Sequence, residues 1–176
     1  DQYRVFSDIE MPLAAVLCDM EEVGFKIDLA AVAAYGQALD LLISEMEERV
    51  YVQAGMEFNI NSPKQLGEVL FERLMLPSAK KTKTGYSTSA EVLEGLRRYN
   101  PIIDDILDFR QYSKLRSTYV EGLTKVADAD GCIHTTFKQT GTVTGRLSSA
   151  EPNLQNIPIR TEQGREIRKA FVPGDP

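Results

Sequence analysis

The hydrophobic period of this chain changes once, near Gly131, and that change limits what it can fold into. Before it, apolar residues recur every three or four positions, as on one face of a helix. After it, CIHTTFKQTGTVTGR at 132–146 alternates as a strand does. One or two strands do not make a stable sheet alone. The expected fold class is therefore mainly α (α+β): a helical body followed by a short β-containing segment that is a poor candidate for a complete domain.

The helical part carries clear punctuation. An apolar stripe at Leu13, Val16 or Leu17, Met20 and Val23 stops at Gly24, a suitable residue just past a helix end. Ser7 and Glu10 resemble a capping box, but Pro12 moves the expected start of the regular helix toward Glu10. Asp28 can cap a second helix over residues 29–52, with Val32, Tyr35, Leu39, Leu42, Met46 and Val50 on one stripe. Asn61-Ser62-Pro63 is a start signal, with Ser62 as N-cap, Pro63 in the first turn and Gln65 completing the box. SAKKTKTGYSTS at 78–89 reads as a flexible basic loop, after which Thr88 and Glu91 can open a short helix through Leu93 and Leu96. Asn100-Pro101 starts the last long helix, with Ile103, Ile106, Leu107, Leu115 and Tyr119 facing inward, and the pattern weakens near Gly122.

Composition narrows the function classes. Hydrophobic residues make up 43% and charged residues 26%, enough apolar material for a core. No apolar run is expected to cross a bilayer, and DQYRVFSDIE has no basic-then-apolar leader, so a cytoplasmic protein without a membrane partner is expected. Cys18 and Cys132 cannot build a disulfide framework or a metal cluster, and Cys18, beside Leu17, is expected as a buried thiol. His134, the one histidine, is expected to be structural. No Gly-rich phosphate loop occurs, and Ser148 and Ser149 lack an activating partner. The acidic runs Glu21-Glu22, Glu45-Glu47-Glu48 and Asp104-Asp105-Asp108 are expected on solvated helix faces. No catalytic or metal-ligating residue is assigned.

Net charge is uneven. Residues 1–60 hold 12 acidic against 3 basic residues, 61–130 hold 10 against 11, and 131–176 hold 4 against 6. The net acidity of −6 is thus confined to the first third, and charge acts only over about a Debye length of ~10 Å. Elsewhere the cations group: Lys80, Lys81 and Lys83; Arg110, Lys114 and Arg116; then Lys138, Arg146, Arg160, Arg165, Arg168 and Lys169. With neighbouring Ser, Thr and Asn they suit phosphate contacts, although the three lysines alone could equally be a solvated loop.

The stretch Thr144-Gly145-Arg146-Leu147-Ser148-Ser149, followed by Pro152-Asn153-Leu154-Gln155-Asn156-Ile157-Pro158, resembles the family A DNA polymerases. The resemblance continues through Arg160, Gly164-Arg165, Ile167-Arg168 and Ala170-Phe171. It reaches back over DIEMPL at 8–13, FNINSPKQL at 58–66, the lysine loop with STSAEVL and KLRSTYVEGL at 114–123. It implies a helix and link at 1–27 following an exonuclease-like domain, a thumb subdomain at 28–130, and the first palm segment at 131–176. It implies primer–template DNA as partner, with Asn59, Asn61, Ser62 and Lys64 near the DNA backbone, Lys80, Lys81 and Lys83 at the thumb tip, and Lys114 as a further DNA contact. Arg146 would reach the minor-groove edge of the primer-terminal pair, Asn153, Gln155 and Asn156 would add polar contacts, and Arg160 would lie near an incoming nucleotide. The minor groove shows acceptors at nearly equivalent places in every base pair, so such donors can test pair geometry without reading sequence.

The family's two Mg²⁺ ions are held by carboxylates, the first in a DYSQIEL-like strand expected after Pro176; Asp175 is no substitute. The resemblance therefore implies that these residues hold DNA, while Mg²⁺, deoxynucleotides and nucleotidyl transfer belong to the longer protein. A helical interaction module that keeps the scaffold without the DNA role is the alternative.

Overall fold

The computed structural model describes residues 2–77, 81–82, 85–159 and 161–174. The chain folds as two compact units, Asp1–Gly36 with Ser117–Pro176, and Gln37–Arg116. Helix begins earlier than expected: α1 (Gln2–Val5) runs through a π-helical turn at Phe6–Glu10 into α2 (Met11–Val23), and Ser7 caps nothing. Its hydroxyl donates to Asp8 instead, at 2.6 Å. Pro12 stands in the first turn of α2 and, lacking an N–H, cannot bond back into the π-helical turn that precedes it. Of the expected α2 stripe only Leu17 is buried; Val16, Met20, Val23 and also Cys18 are exposed. Gly24 closes the helix at φ +72 with its N–H on Met20 O.

β1 (Phe25–Lys26) leads to α3 (Leu29–Ala54), and the Asp28 carboxylate accepts from Ala31 N at 2.9 Å as the expected cap. The α3 stripe holds: Val32, Leu39, Met46 and Val50 are buried, with Tyr35 and Leu42 half-buried. By length and mean hydropathy α3 is long and apolar enough to cross a membrane, contrary to the expectation that no run approaches this. Its second half bears Glu45, Glu47, Glu48 and Arg49, and Met46, Val50 and Ala54 lie in the protein core, the pattern of an amphipathic core helix.

In the Gln37–Arg116 unit, Ser62 caps α4 (Pro63–Glu68) by accepting from Gln65 N. Gln65 reaches back past the cap to Asn59 N, at 2.8 Å. A π-helical turn, Val69–Arg73, extends this helix. The lysine loop contains a hairpin, β2 (Lys81–Thr82) against β3 (Gly85–Tyr86), rather than only a flexible link. α5 (Ala90–Leu96) is capped by Ser89, not Thr88. Thr88 is instead buried and accepts from Arg110. α6 (Ile102–Leu115) starts where the Asn100 side chain accepts from Ile102 N at 3.0 Å. Leu66, Leu70, Leu93, Ile102, Ile103 and Ile106 are almost wholly buried and make one core with Met46, Val50 and Phe58.

Not every acid is solvated. Asp105 is buried, its carboxylate held by Arg49 at 2.7 Å and by the Gln53 amide. Glu21 is half-buried and accepts from Phe137 N.

In the other unit a π-helical turn, Arg116–Glu121, passes into α7 (Gly122–Val126). β4 (Cys132–Ile133) pairs antiparallel with β1, Phe25 opposite Ile133, while Ile27 bridges Phe171 on the other side. The N-terminal link is thus flanked by two segments more than a hundred residues away in sequence. β5 (Thr136–Lys138) pairs with β6 (Ser148–Ala150), Phe137 opposite Ser149. A 3₁₀ turn, Leu154–Asn156, and α8 (Glu162–Lys169), capped by Thr161, complete the unit.

Candidate nucleic-acid interface

Two groups of the expected site residues are each brought together by one unit. The first lies at the start of α4. Asn59 Oδ1 accepts from Asn61 N at 2.9 Å, Asn59 O accepts from Ser62 N at 3.0 Å, and Ser62 Oγ caps the helix. These bonds turn the chain into α4, and Asn59, Asn61 and Lys64 are exposed there. Asn59 and Ser62 therefore build the surface as much as they decorate it, since their side-chain oxygens already accept backbone N–H groups.

Lys80, Lys83 and Arg160 lie outside the described residues, and only the backbone of Lys81 is described, paired with Tyr86. Lys114 is exposed on α6. Its expected face-mate Arg110 is not a free cation. It is half-buried, its guanidinium donates to the Thr88 carbonyl and hydroxyl, and burial lowers its pKa. Arg116 pairs with Asp40 at 2.9 Å.

The second group is the polar loop and turn at 139–156. Within the loop from β5 to β6, Thr142 Oγ1 donates to Arg146 O at 2.7 Å. Gly145 sits at φ +73, a conformation glycine adopts without steric cost. Arg146 is exposed and finds no acid partner among the described residues. Gln155 ties the neighbouring turn to this loop, its Nε2 donating to Leu147 O at 3.1 Å. Asn153 Oδ1 accepts from Gln155 N at 3.0 Å and caps the turn, while Asn156 O accepts from the hydroxyl of Tyr119. The side chains of Asn153, Gln155 and Asn156 remain exposed. Each amide keeps donor capacity beyond the bonds named.

The turn rests on two buried hydroxyls that sequence reasoning did not single out as positioning groups. Thr135 and Ser149 are each 3% exposed, with their oxygens 2.6 Å apart. Beside the turn is a cavity of about 430 Å³ whose lining includes Phe25, Phe137, Leu154, Gln155, Arg168 and Phe171. Arg168, Arg165 and Lys138 are exposed and, like Arg146, have no acid partner among the described residues. In the other unit Arg49, Arg97 and Arg116 are all paired with carboxylates.

Among the described residues no three His, Cys, Asp or Glu side chains are grouped to hold a metal ion.

Fold and site together define a helical protein with a small β platform that presents hydrogen-bond donors and cations from a buttressed turn. The chain matches the model of DNA polymerase family A over residues 30–176. It is 55% identical to DNA polymerase I of Geobacillus stearothermophilus over a 177-residue alignment covering 100% of the chain and 20% of that protein. It is also 55% identical to DNA polymerase I of Bacillus subtilis, over 99% of the chain and 20% of that protein. Among solved structures, the polymerase domain of Pol1 from M. smegmatis, in complex with DNA primer-template and dNTP, matches with a TM-score of 0.87 and 45% identity, over 98% of this chain and 30% of that one. This chain belongs to DNA polymerase family A. It spans about a fifth of the length of the curated relatives it matches.

Proposed function

We propose that this chain is the duplex-holding portion of a template-directed DNA polymerase, and that nucleotidyl transfer, with its Mg²⁺ ions and deoxynucleotides, uses residues outside it. The observation that carries this reading is the Arg146 guanidinium, exposed and without an acid partner among the described residues, on a loop that Gln155 links to the Asn153–Asn156 turn. That arrangement presents donors to a surface of acceptors, and the minor groove is such a surface for every base pair. Arg146, Gln155 and the spare amide donors would meet purine N3 and pyrimidine O2. Lys138, Arg165 and Arg168 would lie toward phosphates, and in the other unit Asn61, Lys64, Lys81 and Lys114 would contact the DNA backbone. A test of base-pair geometry without sequence readout is what a copying enzyme needs.

Fluorescence anisotropy titration of a labelled primer–template duplex at two salt concentrations tests the reading. Binding that weakens steeply with salt and is indifferent to sequence is expected, because each phosphate contact releases counterions. Absence of binding at low salt, or binding that ignores salt, would sink it. Primer extension by the pure chain with Mg²⁺ and deoxynucleotides is expected to be nil.

A further inference from the structure

Hydroxyl groups are costly to bury unless they are bonded, so a pair of them 3% exposed beneath a candidate contact turn calls for a role. Thr135 Oγ1 lies 2.6 Å from Ser149 Oγ, too close for two oxygens without a hydrogen between them. Leu154 N donates to Ser149 Oγ at 3.0 Å. Thr135 Oγ1 lies 2.7 Å from Pro152 O and 3.0 Å from Ala150 O, and Ser149 Oγ lies 3.1 Å from Pro152 O. Each hydroxyl has one proton. One must lie between the two oxygens, leaving the other for a carbonyl. The arrangement that uses the short distances runs from Leu154 N–H to Ser149, from Ser149 to Thr135, and from Thr135 to Pro152 O. It begins and ends on the same turn.

That turn delivers Gln155. The next bonds continue outward, from Gln155 Nε2 to Leu147 O, and from Thr142 Oγ1 to the carbonyl of Arg146. Every member belongs to one compact unit. The buried and outer bonds are joined through the backbone of residues 154–155 and 146–147, so a link at the buried end fixes where the exposed end stands.

We infer that the buried Thr135–Ser149 hydroxyl pair is a positioning device that sets Gln155, and through Leu147 the Arg146 loop, at the height needed to meet minor-groove acceptors. The inference rests on the duplex-holding reading. The two hydroxyls touch no DNA. They act by holding both ends of the 152–154 segment, so that Gln155 and Arg146 arrive as a preorganised pair.

The test uses Thr135→Val and Ser149→Ala, each of which removes one hydroxyl and the two bonds it makes in this network with little change of volume, with Thr135→Ser as the conservative rescue. Each protein is titrated with two duplexes, one natural and one whose primer-terminal purine carries C–H in place of N3. The unaltered protein is expected to bind the natural duplex roughly tenfold more tightly, the scale of one lost charge-assisted hydrogen bond. In Thr135→Val and Ser149→Ala that ratio is expected to fall toward one, and in Thr135→Ser to stay near ten. A merely destabilised fold would weaken both duplexes equally and leave the ratio unchanged. If the unaltered protein discriminates and both variants discriminate equally well, the positioning inference is overturned. If the unaltered protein binds both duplexes alike, the minor-groove reading itself fails and the inference falls with it. Amide exchange needs no variant: the Leu154 N–H is expected to be strongly protected, and fast exchange there overturns the inference even if the variants do not fold.

Discussion

His134 stands between two groups that can only accept. Its Nδ1 lies 2.8 Å from Glu21 O and its Nε2 lies 3.1 Å from the Asp128 carboxylate. A neutral imidazole has one N–H and can satisfy one of them; the imidazolium satisfies both. The Glu21 carbonyl, then Asp128, accordingly raises the His134 pKa above its ordinary 6.5. A raised pKa means that the folded state binds the proton more tightly than the unfolded chain. The stabilisation is therefore fully present below about pH 6.5 and lost as pH rises through the folded-state value. Thermal melts of the parent and His134→Gln across this range are expected to differ most on the acid side and to converge on the alkaline side. A gap independent of pH would refute the assignment. A second residue-scale outcome concerns Gly164, where a Cβ would lie 2.5 Å from Pro158 Cβ and 2.9 Å from Pro158 O. Gly164→Ala forces backbone apart and is expected to lower stability by roughly 1–3 kcal/mol, read as a shift in the denaturation midpoint. The sequence alone showed a lone histidine suited to a structural role, but not its contact with Glu21, which is 113 residues away.

At the scale of elements, local chemistry was legible and non-local pairing was not. Asp28 and Ser62 cap the helices they were expected to cap, because a cap and its N–H lie within three residues. Ser62→Ala is expected to cost about 1 kcal/mol in equilibrium unfolding. The α3 stripe was legible because acids interrupt the apolar residues over its second half, although Leu29, Leu41 and Val52 are apolar and exposed on the same helix. On α2 the apolar pattern reads the same on paper, yet Val16, Met20 and Val23 are exposed, since periodicity shows which residues share a face and not whether anything covers it. The partners of the Phe25–Ile27 link, at Ile133 and Phe171, are set by tertiary packing and leave no mark in the local pattern. Asp105 illustrates the same limit. A triplet of acids looks solvated until Arg49 and Gln53, more than fifty residues earlier, are folded against it. Arg49 is 56% exposed and Asp105 only 4%, so removing either partner is not symmetric. Arg49→Met leaves a buried carboxylate with only an amide, whereas Asp105→Asn leaves an arginine that water can solvate. Arg49→Met is expected to be the more destabilising, by roughly 1–3 kcal/mol, and the reverse order in urea unfolding would contradict this account.

For the whole molecule, the net charge of −6 conceals the arrangement that matters. Acids of the Gln37–Arg116 unit neutralise Arg49, Arg97 and Arg116, while Lys138, Arg146, Arg165 and Arg168 have no acid partner among the described residues. The Arg-Leu-Ser-Ser and Pro-Asn-Leu-Gln-Asn stretches stood out as a candidate contact surface through their resemblance to the family A DNA polymerases, since composition alone fitted a solvated loop equally well. The hydroxyls beneath them did not, since Thr and Ser look alike in sequence whether they face water or a core. If the proposed duplex contact is correct, the four unpaired cations divide by role. Lys138, Arg165 and Arg168 would neutralise phosphates, so replacing each by Ala is expected to flatten the plot of log affinity against log salt by about 0.9. Arg146 would contact a groove acceptor, which releases no condensed counterion. Arg146→Ala is therefore expected to lower affinity at every salt concentration with little change of slope, and to abolish the preference for a primer terminus that retains N3. Titrations of the four variants at several salt concentrations separate the roles. Should Arg146→Ala flatten the slope as the others do while the N3 preference survives, Arg146 is a phosphate ligand and the groove contact must be sought at Gln155 instead.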